Sequence, residues 1–303
     1  MRYLSYIFVL LMFGCASPTP KGEKEVAATK PESLQNKIER ITASAAADVG
    51  VVIIGPDGDT IKVHADKPYR MQSVAKFPQA LRLLSMLDDG KLPVDYRFKV
   101  TDEEMKQRTY STLPKDHPVC PFELTVREAL EYSIGQSDNV MSNMIFDVEG
   151  GPEAVEQFMR ELGIEGIGVK VDYWHLTDET AYSNWSTPMA MAKLLELFYQ
   201  GKILSQENRA MLFDVMVKGP SGKNRLRGKL RETMAIAHKT GTGNTDDSTG
   251  RIMALNDVGI IELGDGRHIT IAVFVSDSFA GDDATAEIIA DVAKEAVKWY
   301  GGE

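Results

Sequence analysis

The sequence predicts an α/β fold of the α+β kind: an antiparallel sheet formed by N- and C-terminal segments and flanked by helices, with an all-helical lobe inserted between them. Three observations predict it. β-branched runs bounded by turn residues cluster near both ends of the chain. The middle carries apolar residues at helical spacing. A chain of 303 residues, 43% of them hydrophobic, is ample for a packed core, as one domain or as two intertwined lobes.

In chain order, Met1-Arg2-Tyr3 and the apolar run 7–13 read as a cationic, apolar export signal too short to span a bilayer. Gly14-Cys15-Ala16-Ser17 resembles a bacterial lipobox, in which Cys15 would carry a lipid and attach the protein to a membrane; the alternative is an ordinary signal peptide cut after a small residue. The expected organisation is a signal peptide over 1–14, a polar, Pro-containing flexible tether over 15–34, and a catalytic domain over 35–303. Within the domain the sheet lobe takes about 35–70 and 225–303, and the helical lobe about 71–224. Export to the periplasm leaves Cys120 as the domain's single thiol, so no intramolecular disulfide is expected.

A helix over 34–46 precedes the β-branched run Val51-Val52-Ile53-Ile54, and Gly55-Pro56-Asp57-Gly58 turns it into Thr60-Ile61-Lys62-Val63, a hairpin. The apolar run 77–87 predicts a buried helix ending near Gly90, with a distortion just after Lys76 because Pro78 removes a backbone donor. Helical spacing recurs over 126–132, 152–162, 188–199 and 205–216. Strands are predicted over 250–254, 258–261 and 268–275, and a closing amphipathic helix over 284–299.

Three motifs carry the chemistry: Ser73-Val74-Ala75-Lys76, Ser137-Asp138-Asn139 and Lys239-Thr240-Gly241. Each exact tripeptide would arise by accident in roughly one of several tens of chains of this length; their order and context give them meaning. Ser73 opens the predicted helix, so Lys76 lies three residues on along the same face, and the helix start offers unpaired backbone N–H groups. A serine hydroxyl is a weak nucleophile until a base takes its proton, and lysine can serve when burial or nearby cations lower its pKa. Lys239 would be such a cation. The Ser73 N–H would also stabilise a developing oxyanion, a contribution of roughly 3 kcal/mol per donor. A nucleophile, a base and an anion clamp point to serine acyl transfer, and the ordered set is a signature of class A β-lactamases and penicillin-binding proteins.

From about Gly50 to Trp299 the chain resembles class A serine β-lactamases. Met71-Gln72-Ser73, Leu130-Glu131-Tyr132-Ser133 and the stretch Ile236-Ala237-His238-Lys239-Thr240-Gly241-Thr242-Gly243 are similar to that family, and Gln72, His238 and Asn184-Trp185 resemble its extended-spectrum branch. The resemblance implies that Ser73 attacks the lactam carbonyl, Lys76 takes part in removing its proton, and Ser137 passes a proton to the departing nitrogen. It implies that Asn139 binds the substrate's side-chain amide and that Lys239, Thr240, Gly241 and Thr242 hold its carboxylate, Thr242 lending a second oxyanion N–H. Tyr110 would line the cleft entrance. The family's deacylating glutamate has no counterpart at the expected position, which falls on Val171. Asp172, one residue on, is the candidate base, with a solvated loop charge as the equal alternative.

No cofactor or metal is expected, since the five histidines form no His-x-His or His-Glu-x-x-His cluster. A net charge of −10 argues against nucleic acid as a partner. The resemblance implies a small-molecule β-lactam as substrate, and nothing in the sequence suggests more than a monomer. Two other functions stay open. One is a penicillin-binding or D-Ala-D-Ala peptidase-like protein that acylates and deacylates slowly; the other is a non-catalytic lipoprotein that binds cell-wall peptides.

Overall fold

The computed structural model describes Met1 and residues 32–301, so the expected signal peptide, Cys15 and almost all of the expected tether lie outside the described residues. The sheet forms where β-branched residues alternate at the two ends of the domain. β1 (Asp48–Ile54), β2 (Thr60–Val63), β3 (Ile236–Thr242), β4 (Arg251–Glu262) and β5 (His268–Ser278) pair antiparallel in the order β2-β1-β5-β4-β3. The short strand Thr245–Asp246 adds to β4. Gly58, at φ +81°, supplies the left-handed residue of the β1–β2 turn.

The helices are α1 (Leu34–Ala43), α2 (Lys76–Asp88), α3 (Val126–Leu130), α4 (Asn139–Glu149), α5 (Pro152–Glu161), α6 (Pro188–Tyr199), α7 (Gln206–Lys218) and α8 (Asp282–Trp299), with shorter turns between them. The sheet is buried on both faces. Val49, Val51 and Ile53 of β1 pack with Leu34 and Ile38 of α1 and Ile289 of α8. Val52, between them in sequence, packs on the other side with Phe77, Phe146 and Phe198 of the inserted helices. Period-two alternation therefore divides one strand between two cores, each buried aliphatic side chain contributing about 1.5–3 kcal/mol.

The sheet and its flanking helices are as the sequence predicts, but the inserted lobe is not all-helical: Arg97–Val100 pairs with Phe122–Thr125, and Ile167–Gly168 with Trp185–Ser186. Three further local differences follow. The strands expected over 250–254 and 258–261 are one strand, because the polar pair that reads as a break is buried and bonded. Asn256 Nδ2 donates to Arg70 O at 2.8 Å, Asn256 Oδ1 accepts from Val275 N at 3.1 Å, and Asp257 accepts from Leu226 N at 3.1 Å. Pro78 causes no break after Lys76: it is the third residue of α2, where backbone N–H groups have no intrahelical partner. The irregularity comes before the lysine, where Gln72–Ala75 form a 3₁₀ turn. Third, α3 passes into a π-helical turn over Glu131–Gly135, and α4 begins inside the Ser137-Asp138-Asn139 motif, where no helix was expected.

Candidate active site

Ser73 and Lys76 are placed by the change from 3₁₀ turn to α2. Gln72, just before the serine, has φ +50°, a left-handed conformation held by its surroundings. Lys76 is fully buried, and its Nζ lies 3.3 Å from Ser73 Oγ. The same Nζ donates to Ser137 O and to Asn139 Oδ1, each at 2.6 Å, and lies 3.4 Å from Ser137 Oγ. Burial, reinforced by the Lys239 charge and opposed by Asp138, holds the Lys76 ammonium well below its ordinary pKa.

The second motif is organised by Asp138, which is fully buried. Its Oδ1 accepts from Met141 N at 2.9 Å, capping α4. Its Oδ2 accepts from Ser111 Oγ and Thr112 N, both at 2.6 Å, tying the segment that carries Tyr110 to the start of α4. Ser137 adopts φ +62°, which turns it into the cleft between the two lysines. Asn139 Nδ2 donates to Thr109 Oγ1 at 2.8 Å, fixing its amide.

β3 brings the third motif. Lys239, 1% exposed, donates from Nζ to Ser137 Oγ and to Thr240 O, both at 3.0 Å. Its pKa is lowered to about 7, chiefly by burial, with Asp257 raising it and Arg225 lowering it further. A Cβ on Gly241 would collide with the Met71 carbonyl, so glycine is what lets β3 lie against the turn that carries Ser73. Arg225, which sequence reasoning missed, donates from Nη2 to Thr242 Oγ1 at 2.6 Å and from Nη1 to Gly241 O at 3.1 Å. Its only signal in the sequence is a basic stretch, Lys223-Asn224-Arg225-Leu226-Arg227, that reads equally well as surface charge.

Ser73, Tyr110, Ser137, Asn139, Arg225 and Thr242 line one cleft of ≈330 Å³, with Thr240 at its wall. An adjoining recess of ≈300 Å³ reaches from Ser73 to Gln72, Tyr173, Asp178 and Asn244. Three segments distant in sequence thus meet at one hydroxyl.

Asp172, the candidate base, is not brought there. Its Oδ1 accepts from Trp174 N at 3.0 Å and from His175 N and Nδ1, both at 2.8 Å, so the carboxylate closes its own turn. It lines a separate surface pocket with Glu103, Lys106 and Asp147. Its neighbours are pinned from elsewhere: Asn184 bonds the Val171 backbone through Oδ1 at 3.1 Å and Nδ2 at 2.7 Å, and Asn143 Oδ1 accepts from Tyr173 N at 2.9 Å. Tyr173 turns inward instead, its ring centre 4.2 Å from Lys76 Nζ. The carboxylate lining the recess is Asp178, whose Oδ1 accepts from Asn244 Nδ2 at 2.8 Å.

The sheet, the inserted helices and the cleft where they meet define a protein of β-lactamase/transpeptidase-like fold. A model described as the Beta-lactamase enzyme family matches residues 33–300. Beta-lactamase VEB-1 of Pseudomonas aeruginosa is 34% identical over 274 residues, covering 89% of this chain and 91% of its own. Extended-spectrum beta-lactamase PER-1 of the same organism is 34% identical over 269 residues, covering 88% and 87%. The crystal structure of a beta-lactamase from Chitinophaga pinensis superposes with a TM-score of 0.84 at 34% identity, over 88% of this chain and 98% of that one. A structure described as representative of class A, from Bacteroides cellulosilyticus, gives the same TM-score at 26% identity, over 88% and 97%. The chain belongs to the β-lactamase enzyme family, in class A.

Proposed function

We propose that this protein opens the ring of penicillins and cephalosporins by acyl transfer to Ser73, followed by hydrolysis of the acyl-enzyme. One observation carries the reading: Lys76, buried and held well below its ordinary pKa, lies 3.3 Å from the Ser73 hydroxyl. A neutral amine has two N–H bonds and one lone pair. The two short bonds to Ser137 O and Asn139 Oδ1 take both hydrogens, which turns the lone pair toward Ser73. Lys76 then accepts the serine proton as Oγ attacks the lactam carbonyl. Ser137, bridging to Lys239, delivers a proton to the departing nitrogen as the C–N bond breaks.

The N–H groups of Ser73 and Thr242 receive the oxyanion. Thr240, Thr242 and Arg225 line a cationic, hydroxyl-bearing end of the cleft, next to the buried Lys239, suited to the substrate carboxylate. Asn139 and Tyr110 face the substrate side chain. The optical assay that tests this follows benzylpenicillin and a chromogenic cephalosporin with wild type and Ser73→Ala; hydrolysis by wild type and none by the variant is expected, and equal rates would overturn the reading.

A second reading, a penicillin-binding or D-Ala-D-Ala peptidase-like protein that acylates and releases slowly, is favoured by two observations: Asp172 faces a different pocket, and Asp178 is tied to Asn244. Quenching during turnover separates the two. Free enzyme predominating within seconds supports hydrolysis; an adduct lasting an hour supports the slow form.

Export to the periplasm and attachment through a lipid on Cys15, as a monomer, complete the proposal. The leader 1–14 and Cys15 support it. Fractionation with Cys15→Ala tests it: release of a membrane-bound protein into the soluble periplasmic fraction is expected, and no change in distribution counts against the lipid.

A further inference from the structure

Beneath the strand that carries Lys239 lies a buried anion with no cationic contact. Asp257 on β4 stands opposite Thr240 on β3, its side chain fully buried. Both carboxylate oxygens lie 2.9 Å from His238 Nδ1, and Oδ2 also accepts from Leu226 N. On the far side of the ring, Arg227 Nε donates to His238 Nε2 at 2.9 Å. A guanidinium can only donate, so Nε2 must accept and the ring proton must sit on Nδ1. The imidazole is therefore uncharged and does not neutralise Asp257. Among the described residues no lysine or arginine forms an ion pair with it within 4.0 Å.

The charge has no ion-pair contact to a lysine or arginine among the described residues, and it is felt by Arg225 and Arg227 as well as by Lys239 across the sheet. Lys239 is faced by Arg225 from the segment before β3, by Asp257 from β4 and by Lys76 from α2, whose own surroundings include Asp138 at the start of α4. Of these, Asp257 is the anion that raises the Lys239 pKa against burial and the Arg225 charge. A carboxylate in direct contact would occupy the ammonium's donors; one set behind the strand stabilises the charge and leaves the donors to Ser137 and to substrate.

We propose that Asp257, held by an uncharged His238, is a positioning residue whose buried charge keeps Lys239 cationic and so keeps the carboxylate-binding end of the cleft working at neutral pH. The proposal rests on the reading of Lys239 as the carboxylate clamp. Asp257→Asn tests it, since the amide keeps the shape and an acceptor for Leu226 N while removing the charge. Lysine is labelled at ¹³Cε and titrated by NMR, Lys239 being assigned through Lys239→Arg. The Lys239 midpoint is expected to fall by roughly one pH unit in Asp257→Asn. Acylation by benzylpenicillin is expected to drop about tenfold at pH 8 and less than twofold at pH 6, following the lost cation.

An unchanged midpoint, or an equal loss of acylation at every pH, would overturn the proposal by reducing Asp257 to a packing role. Should Asp257→Asn not fold, Asp257→Ser gives the same two outcomes, and Asp257→Glu should restore the midpoint. The NMR reading needs no substrate, so failure to acylate would count against the proposed function and leave Asp257 to be judged by the titration.

Discussion

Lys76 and Lys239 both reach Ser137 Oγ, at 3.4 and 3.0 Å, and the proposed chemistry needs them in different protonation states. Burial holds Lys76 well below its ordinary pKa, as the proposed proton acceptor requires; Lys239, at about 7, is the marginal cation. The amine is charged below its pKa and loses its charge above it. The acylation kcat/KM for a carboxylate-bearing β-lactam should therefore fall on the alkaline side, in a limb centred near pH 7. A rate profile over pH 5–9 checks this; a profile flat to pH 9 would separate Lys239 from substrate binding. Asp172→Asn should leave hydrolysis within about twofold, since its carboxylate bonds the adjacent turn and not the cleft. Steady-state assays of that variant decide it. The motif residues were legible because three-residue spacing at a helix start is local. The direction of Asp172 was not, because Asn143 and Asn184 set it from other parts of the chain.

Helix α4 shows how one residue serves element and site together. Asp138 caps its N-terminus and bonds the Tyr110 segment, so Asp138→Ala removes an N-cap and leaves several buried donors unmatched. A loss of about 2 kcal/mol or more is expected in urea unfolding, with acylation reduced in the protein that remains folded. At the other end of α4, Glu149 is 3% exposed, and burial pushes its carboxyl well above the usual range against the opposing Arg82 charge. The folded state thus binds this proton more tightly. The stabilising contribution is complete below the ordinary glutamate value of 4.5 and is lost as pH rises through the raised one. Glu149→Gln should flatten the dependence of Tm on pH and raise Tm more at pH 9 than at pH 5, which calorimetry at the two pH values reads. This helix was hidden in the sequence because Ser142, Asn143 and Glu149 point inward, spoiling the apolar stripe that marked α5, α6 and α8. The inward polar pair Asn256-Asp257 hid the continuity of β4 in the same way.

At the scale of the whole molecule, the two ends of the chain build a sheet and the middle builds a helical layer against it, with the cleft where α2, the start of α4 and β3 meet. That arrangement was legible because β-branched runs and helical spacing separate cleanly along the sequence. The cleft's second ring of residues, Arg225, Tyr173, Asp178 and Asp257, was not, because loops and buried polar side chains carry it. In the proposed chemistry Ser73 Oγ is the atom acylated. Intact-mass measurement of the full protein, quenched seconds after mixing with benzylpenicillin and followed by peptide mapping, tests it most directly. A transient gain of one intact penicillin on the peptide containing Ser73, absent in Ser73→Ala, is the expected result. Undiminished hydrolysis by Ser73→Ala, or the same adduct in that variant, would contradict this assignment.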